Sequence, residues 1–175
     1  MPLFPEFETE RLWLKVTDLP DAGLILELLN TPKWLEFIGD RKVYTIADAE
    51  NYILERIRPQ YERLGYANYT LIRKSDGAKM GCCGLYDRQG LEGVDLGFGL
   101  LPAYEGQGYA REAAQRLIEA AFNEIGLTEL TAITVEANTS SRKLLERLGF
   151  RFERIVHLPD DPEPLLYLTL RPSNP

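Results

Sequence analysis

The chain is poor in the residues that bind metals or act as nucleophiles. Its 175 residues include one histidine, His157, and two cysteines, Cys82 and Cys83. Adjacent cysteines do not readily reach disulfide geometry, so a disulfide-stapled scaffold is excluded and a reducing, cytoplasmic setting is expected. No group of His, Cys and Asp has metal-ligand spacing, so no metal is expected. No uncharged apolar run approaches the ~20 residues that span a bilayer, and no membrane partner is expected. The first residues, Met1 to Glu8, lack a basic start and an apolar stretch, so no signal peptide is expected there. Positive charge is also short: 20 Lys and Arg against 27 Asp and Glu give a net charge of −7. Phosphate-backbone binding needs a basic footprint, so nucleic acid is not an expected partner.

What is present is an ordinary core-forming composition, 45% hydrophobic and 27% charged. Disorder is excluded by that apolar content, and the length fits a single domain over residues 1–175. Leu12, Leu14 and Val16 alternate with polar neighbours and read as a strand. Leu24, Ile25, Leu28 and Leu29 then form a helical stripe capped by Asp18 or Asp21, with Thr31-Pro32 as its stop. Thr45 and Asp48 make a near capping box for a second helix through Ile46, Ala49, Ile53 and Ile57. Pro59 is expected to break or kink it, and Gly65 to close the region. Strands are expected over 68–73, 79–86 and 94–101, with turns at Ser75-Asp76-Gly77 and Gln89-Gly90. A long helix follows from Ala110 to Ile125, stopped by Gly126. A β-branched strand over 130–135 leads to a short helix from Asn138, its cap, to Gly149, its C-terminal glycine. Strands over 150–157 and 165–170 finish an α/β chain with a mixed sheet.

Nine of the 14 glycines fall between Gly77 and Gly108. The segment from Leu100 to Arg111 ends a strand, runs through a glycine loop and opens the long helix. Free amides at a helix N-terminus make an anion site, and glycine lets a phosphate approach the backbone. The dinucleotide fingerprint fails twice, because Pro102 and Arg111 stand where its third glycine belongs. A nucleotide-binding oxidoreductase is thereby set aside.

Glu105-Gly106-Gln107-Gly108-Tyr109-Ala110 resembles the acyl-CoA loop of the GCN5-related N-acetyltransferases (GNAT), with Gly108 and Ala110 matching and Glu105 departing from the usual Gln or Arg. Asn138-Thr139-Ser140-Ser141 through Leu148-Gly149-Phe150 resembles a motif of the family's RimJ/RimL-like branch. Thr9-Glu10-Arg11-Leu12-Trp13-Leu14 resembles that branch's opening. The resemblance spans about residues 9–170. It implies the GNAT fold: a central mixed sheet flanked by helices, with a splayed strand pair that holds the pantetheine arm. Acetyl-CoA is the implied cosubstrate, pairing with the backbone at Phe98 and Leu100. Its pyrophosphate would lie on the amides of Gly106, Gln107, Gly108, Tyr109, Ala110 and Arg111. Asn138 and Ser141 would stand beside the pantetheine arm.

The implied activity is direct acetyl transfer to a primary amine, either a protein N-terminal α-amine or a small molecule. Many relatives use a tyrosine to protonate the departing thiolate; Leu145 stands there in this chain, and Ser141 resembles the serine proposed instead. The base is open between Asp95 and Glu92, with His157 as a lesser candidate. A catalytically idle acyl-CoA-binding module is the alternative. A homodimer is compatible with the sequence, which does not fix the oligomeric state.

Overall fold

In a computed structural model that describes residues 2–173, eight strands form one sheet with helices on both faces. The strands are β1 (Glu6–Glu8), β2 (Leu12–Val16), β3 (Asn68–Arg73), β4 (Lys79–Tyr86), β5 (Asp95–Leu100), β6 (Leu130–Thr134), β7 (Arg151–Val156) and β8 (Leu165–Leu170). The helices are α1 (Ala22–Leu28), α2 (Pro32–Phe37), α3 (Ile46–Tyr52), α4 (Arg58–Leu64), α5 (Tyr109–Ala120) and α6 (Thr139–Arg147). Across the sheet the order is β1-β2-β3-β4-β5-β6-β8-β7. The β5–β6 contact is parallel and the others are antiparallel.

The two sheet faces have different chemistry. Cys83 and Leu85 of β4 join Leu12, Leu14 and Leu71 in a core closed by Ala113, Ala114 and Leu117 of α5. The alternate residue Cys82 faces a second core, built on Ile25 and Leu28 of α1 and Ala49 of α3. This second face also carries a buried polar chain. Thr17 and Thr70 hydroxyls lie 2.9 Å apart, Asn68 Nδ2 donates to Thr17 Oγ1 at 2.8 Å, and the Tyr86 hydroxyl donates to Asn68 Oδ1. Each member has a partner, which removes the penalty of burying it. Both cysteines are buried, and burial pushes Cys82 up to about 12. They are packing residues of a strand.

Local signals account for most boundaries. Thr45 and Asp48 form the expected capping box of α3. Gly65, Gly126 and Gly149 adopt left-handed conformations where helices or turns end. Two expectations need correction. Thr31-Pro32 stops α1 but also starts α2: the Thr31 side chain accepts from Trp34 N–H and Pro32 occupies the first turn, where its missing N–H costs nothing. Pro59 does not break its helix, because the chain widens into a π turn over Ile53–Ile57 and Arg58 N–H bonds to Ile53 C=O. That one-residue expansion absorbs the lost donor, and α4 continues. The short strand β1 was not expected from the sequence; its register places Phe7 opposite Leu14.

β7 is an outer strand with five of its six residues exposed, and its pairing with β8 shifts register between Phe152 and Arg154. No helix among the described residues is long and apolar enough to cross a membrane.

Glycine 81 is fixed by close approach: a Cβ there would lie 2.1 Å from Gly99 O. Gly23, inside α1, has nothing within 4 Å of that position. Gly81→Ala is therefore expected to destabilise by about 1–3 kcal/mol. Gly23→Ala is expected to stabilise by about 0.4–1 kcal/mol, both read from urea unfolding curves.

Candidate active site

The site begins where the sheet opens. β5 and β6 share one residue pairing, Asp95 with Thr131, supported by a 2.9 Å bond from Thr131 N–H to Val94 C=O. Beyond it the two parallel strands diverge. Leu101 N–H bonds to Met80 C=O at 2.8 Å, so odd-numbered residues of β5 turn their backbone groups toward β4. Phe98 and Leu100, on the alternate positions, turn N–H and C=O into the gap. Both were expected to offer a free backbone, and their side chains are half-buried.

Because the strands are parallel, their C-terminal ends lie at one end of the gap, where crevices of open sheets take ligands. β5 leads through the loop to α5, and β6 leads to α6. The α5 cap is Gly108, left-handed with φ 82° and with no capping side chain. Gly106 is also left-handed, at φ 75°, and nothing lies within 4 Å of its missing Cβ. Among the described residues the N–H groups of Gly106, Gln107, Gly108, Tyr109, Ala110 and Arg111 have no acceptor. They form an open cradle of donors with a helix dipole behind them, suited to an anion. Arg111 is exposed beside them, while the Tyr109 ring is buried. Gln107 folds back, its Nε2 donating to Ala103 C=O at 3.3 Å. Lys33 Nζ contacts Glu105 at 2.7 Å and ties α2 to the loop.

At the neighbouring helix, Asn138 Oδ1 accepts from Ser141 N–H at 3.3 Å and caps α6. Both expected residues thus sit at the α6 start, at the same end of the gap as the cradle but on its β6 side. Leu145 is 1% exposed and fills the core.

The two candidate carboxylates lie at the closed end. Asp95 pairs with Tyr86 on β4, so its side chain lies on the polar face. It is 1% exposed, and Arg88 Nε donates to both carboxylate oxygens at 3.0 and 3.1 Å. Burial raises its pKa to about 6 even though Arg88 pulls it down. Arg88 itself stacks 4.9 Å from the Tyr86 ring centroid and keeps its side chain 34% exposed. The partner of Asp95 lies seven positions earlier, across a turn, and sequence reading missed it. Glu92 is separate, with a side chain 87% exposed and its carboxylate 3.8 Å from Arg154. His157 is exposed beyond the end of β7, which β8 separates from β6. Among the described residues no group of three or more His, Cys, Asp or Glu could hold a metal.

Over the polar face, Trp34 lies against Gly99, 3.2 Å from where a Cβ would stand, with Leu28 at 3.7 Å. Tyr86 covers Gly97 in the same way at 2.8 Å. These glycines leave room for two aromatics to wall the gap. Trp34 Nε1 is buried without a partner among the described residues.

A mixed sheet split at a parallel pair, with an open amide cradle at the mouth of the split, is the architecture of an N-acyltransferase. The acetyltransferase (GNAT) domain family matches residues 11–151, and the chain belongs to that family. It is 28% identical over 151 residues to the uncharacterized N-acetyltransferase p20 of Bacillus licheniformis, covering 85% of this chain and 83% of that protein. A shorter match, 35% identical over 72 residues, links it to the FsC-acetyl coenzyme A-N(2)-transacetylase of Aspergillus fumigatus, covering 41% of this chain and 31% of that protein. The fold is shared with ribosomal-protein-S5-alanine acetyltransferase from Vibrio fischeri, with a TM-score of 0.76 at 19% identity over 95% of this chain and 96% of that one.

The Asp95 shift has a sign that can be measured. Its folded pKa of about 6 exceeds the ordinary 3.8, so the folded state holds the proton more tightly. The associated stability is full below about pH 4, is lost as pH rises through about 6, and stays lost above. Subtracting the Asp95→Asn unfolding free energy from that of the unsubstituted protein is expected to give a difference that falls across this window. A flat difference from pH 4 to 7 would contradict the assignment.

Proposed function

We propose that this protein transfers an acetyl group from acetyl-CoA to a primary amine, as a member of the RimJ/RimL-like branch acting in the cytoplasm as a single domain. The observation that carries the reading is a pair of donor sets on one segment of chain: the free edge of β5 at Phe98 and Leu100, and the uncapped cradle of Gly106 to Arg111. The open space at Gly106 fits a phosphate against the backbone.

Acetyl-CoA, when bound, supplies the thioester whose acetyl group is transferred. The cradle amides hold its pyrophosphate, and Arg111 adds a charge-assisted contact. Phe98 and Leu100 pair with the pantetheine arm as a missing strand would. A backbone N–H on this free edge also donates to the thioester carbonyl oxygen as charge develops there. Asp95 is the base that the geometry favours over Glu92. Its pKa of about 6 lies near working pH, and it borders the aromatic-walled face, whereas Glu92 faces solvent. Since Asp95 is 1% exposed and lies at the closed end of the gap, a chain of waters relays the amine proton to it. Ser141, at the start of α6 beside Asn138, relays a proton from solvent to the departing thiolate, taking one on its oxygen as it gives one up.

The acceptor is an amine that reaches the gap past Trp34 and Tyr86. A protein N-terminal α-amine and a small-molecule amine both meet that requirement. Acetyl-CoA is expected to raise the melting temperature, and NAD and ATP are not. Thiol release from acetyl-CoA should appear with at least one member of a panel of peptide N-termini, polyamines and amino acids. With that acceptor, Ser141→Ala should lower kcat about 100-fold or more. Absence of a thermal shift at millimolar acetyl-CoA defeats the cosubstrate assignment. A thermal shift without turnover on any amine defeats the proposed transfer.

A further inference from the structure

The glycine loop that forms the cradle has little to hold it. Gly106 touches nothing through its Cβ position, and Gly106, Gln107 and Gly108 are all exposed. Behind the loop lies a cleft of about 370 Å³ lined by Glu10, Arg11, Arg73, Lys74, Ser75 and Tyr109. Packing from that side cannot fix the direction of the loop amides. Left-handed glycines are also the residues with the most conformational freedom to lose.

One side chain spans the cleft. Arg11, at the entry to β2, donates through Nη1 to Gln107 C=O at 3.1 Å. Its Nε donates to Glu112 Oε1 at 2.7 Å, and its guanidinium lies 4.3 Å from the centroid of the Tyr109 ring. Its Nη2 is 3.4 Å from the Cβ position of Gly108. Glu112 is held in turn by its own contacts. Its Oε2 accepts from the Thr9 hydroxyl at 2.5 Å and from Arg11 N–H at 3.1 Å, while its backbone N–H bonds to Gly108 C=O at 3.0 Å. Burial would raise the Glu112 pKa, but the Thr9 and Arg11 hydrogen bonds outweigh it and hold it below the ordinary value. The carboxylate is therefore charged when the loop is set.

We infer that Arg11 is a positioning residue for the cradle. By gripping the Gln107 carbonyl while anchored on Glu112 and Tyr109, it aims the Gly106–Arg111 amides at an anionic ligand that it does not itself touch. The inference rests on the reading that this cradle takes the pyrophosphate of CoA. A peptide plane carries its carbonyl and the next N–H in opposite directions. Turning the Gln107 C=O toward Arg11 thus turns the Gly108 N–H the other way, outward. The ordering cost of the loop is met during folding, so less is left to spend at binding. Thr9 and Arg11 belong to the opening motif, far from the loop in sequence, and the fold makes them its support.

The test uses Arg11→Ala, Glu112→Gln and the double variant, each checked for an intact melting transition. Three measurements are made: CoA affinity by titration calorimetry, ¹⁵N order parameters of Gly106 and Gly108 in the ligand-free protein, and steady-state kinetics. Each single variant is expected to weaken CoA about tenfold. The double variant should be no weaker than the worse single. With saturating acetyl-CoA, kcat should hold while KM rises. The order parameters should fall from about 0.85 to below about 0.6. Additive losses would mean that Arg11 contacts the ligand directly and would overturn the proposal, as would unchanged affinity. Unchanged order parameters would overturn it as well, whether or not CoA binds. Unsubstituted protein that binds no CoA would instead defeat the cosubstrate reading, and the order parameters would still decide the role of Arg11.

Discussion

The backbone pairing between β5 and β6 stops after Asp95 and Thr131. A sheet that continued would satisfy Phe98 and Leu100 with β6 and leave no room between them. Because it stops, strong hydrogen-bonding groups stay exposed along one strand in the middle of an eight-stranded sheet. Such an interruption is tolerated because each part of the sheet has its own further support. β2 to β5 are held by α5 on one face and by α1 and α3 on the other. β6 is secured by its own antiparallel pairing with β8 across five residues. The gap thus opens in the backbone pairing alone, while one apolar core under α5 runs across both parts of the sheet, from Leu14 and Leu96 to Leu130, Ala132 and Leu168.

The two faces of β4 and β5 then divide the work. On the α5 side, Cys83, Leu85 and Leu96 make an apolar layer that supports the helix behind the cradle. On the other side, Gly97 and Gly99 remove bulk beside the gap, and Tyr86 and Trp34 occupy the space that a Cβ would fill. The Arg88–Asp95 pair closes that side at the strand's start. A buried ion pair of this kind contributes little net stability, since desolvation offsets the attraction.

Sequence reading captured the elements whose signals are local. The boundaries of β3, β4 and β8, the Thr45 capping box and the Asn138 cap all follow from short-range chemistry. The family of the chain was legible in three motifs. What escaped was of two kinds. Ambiguous punctuation hid α2, because Thr31-Pro32 ends one helix and begins the next with the same residues. Tertiary pairing hid the rest. Nothing local says that Arg88 turns back onto Asp95, or that Thr9 and Arg11 reach Glu112 over about a hundred positions. An acidic residue in the first turn of a helix is common enough through the helix dipole alone that Glu112 gave no separate signal. Three-residue β1 is too short for its alternation to stand out.

The outer strand β7 has a consequence for the molecule in a crowded solution. It ends the sheet, so one row of its backbone groups faces solvent, and Phe152 and Ile155 lie exposed along it. An edge of that kind invites a strand from another chain. Arg151, Glu153 and Arg154 place charge along it, and the register shift between Phe152 and Arg154 spoils the regular spacing that an incoming strand would need. The irregularity that costs β7 some pairing with β8 also makes this edge a poorer template for sheet extension.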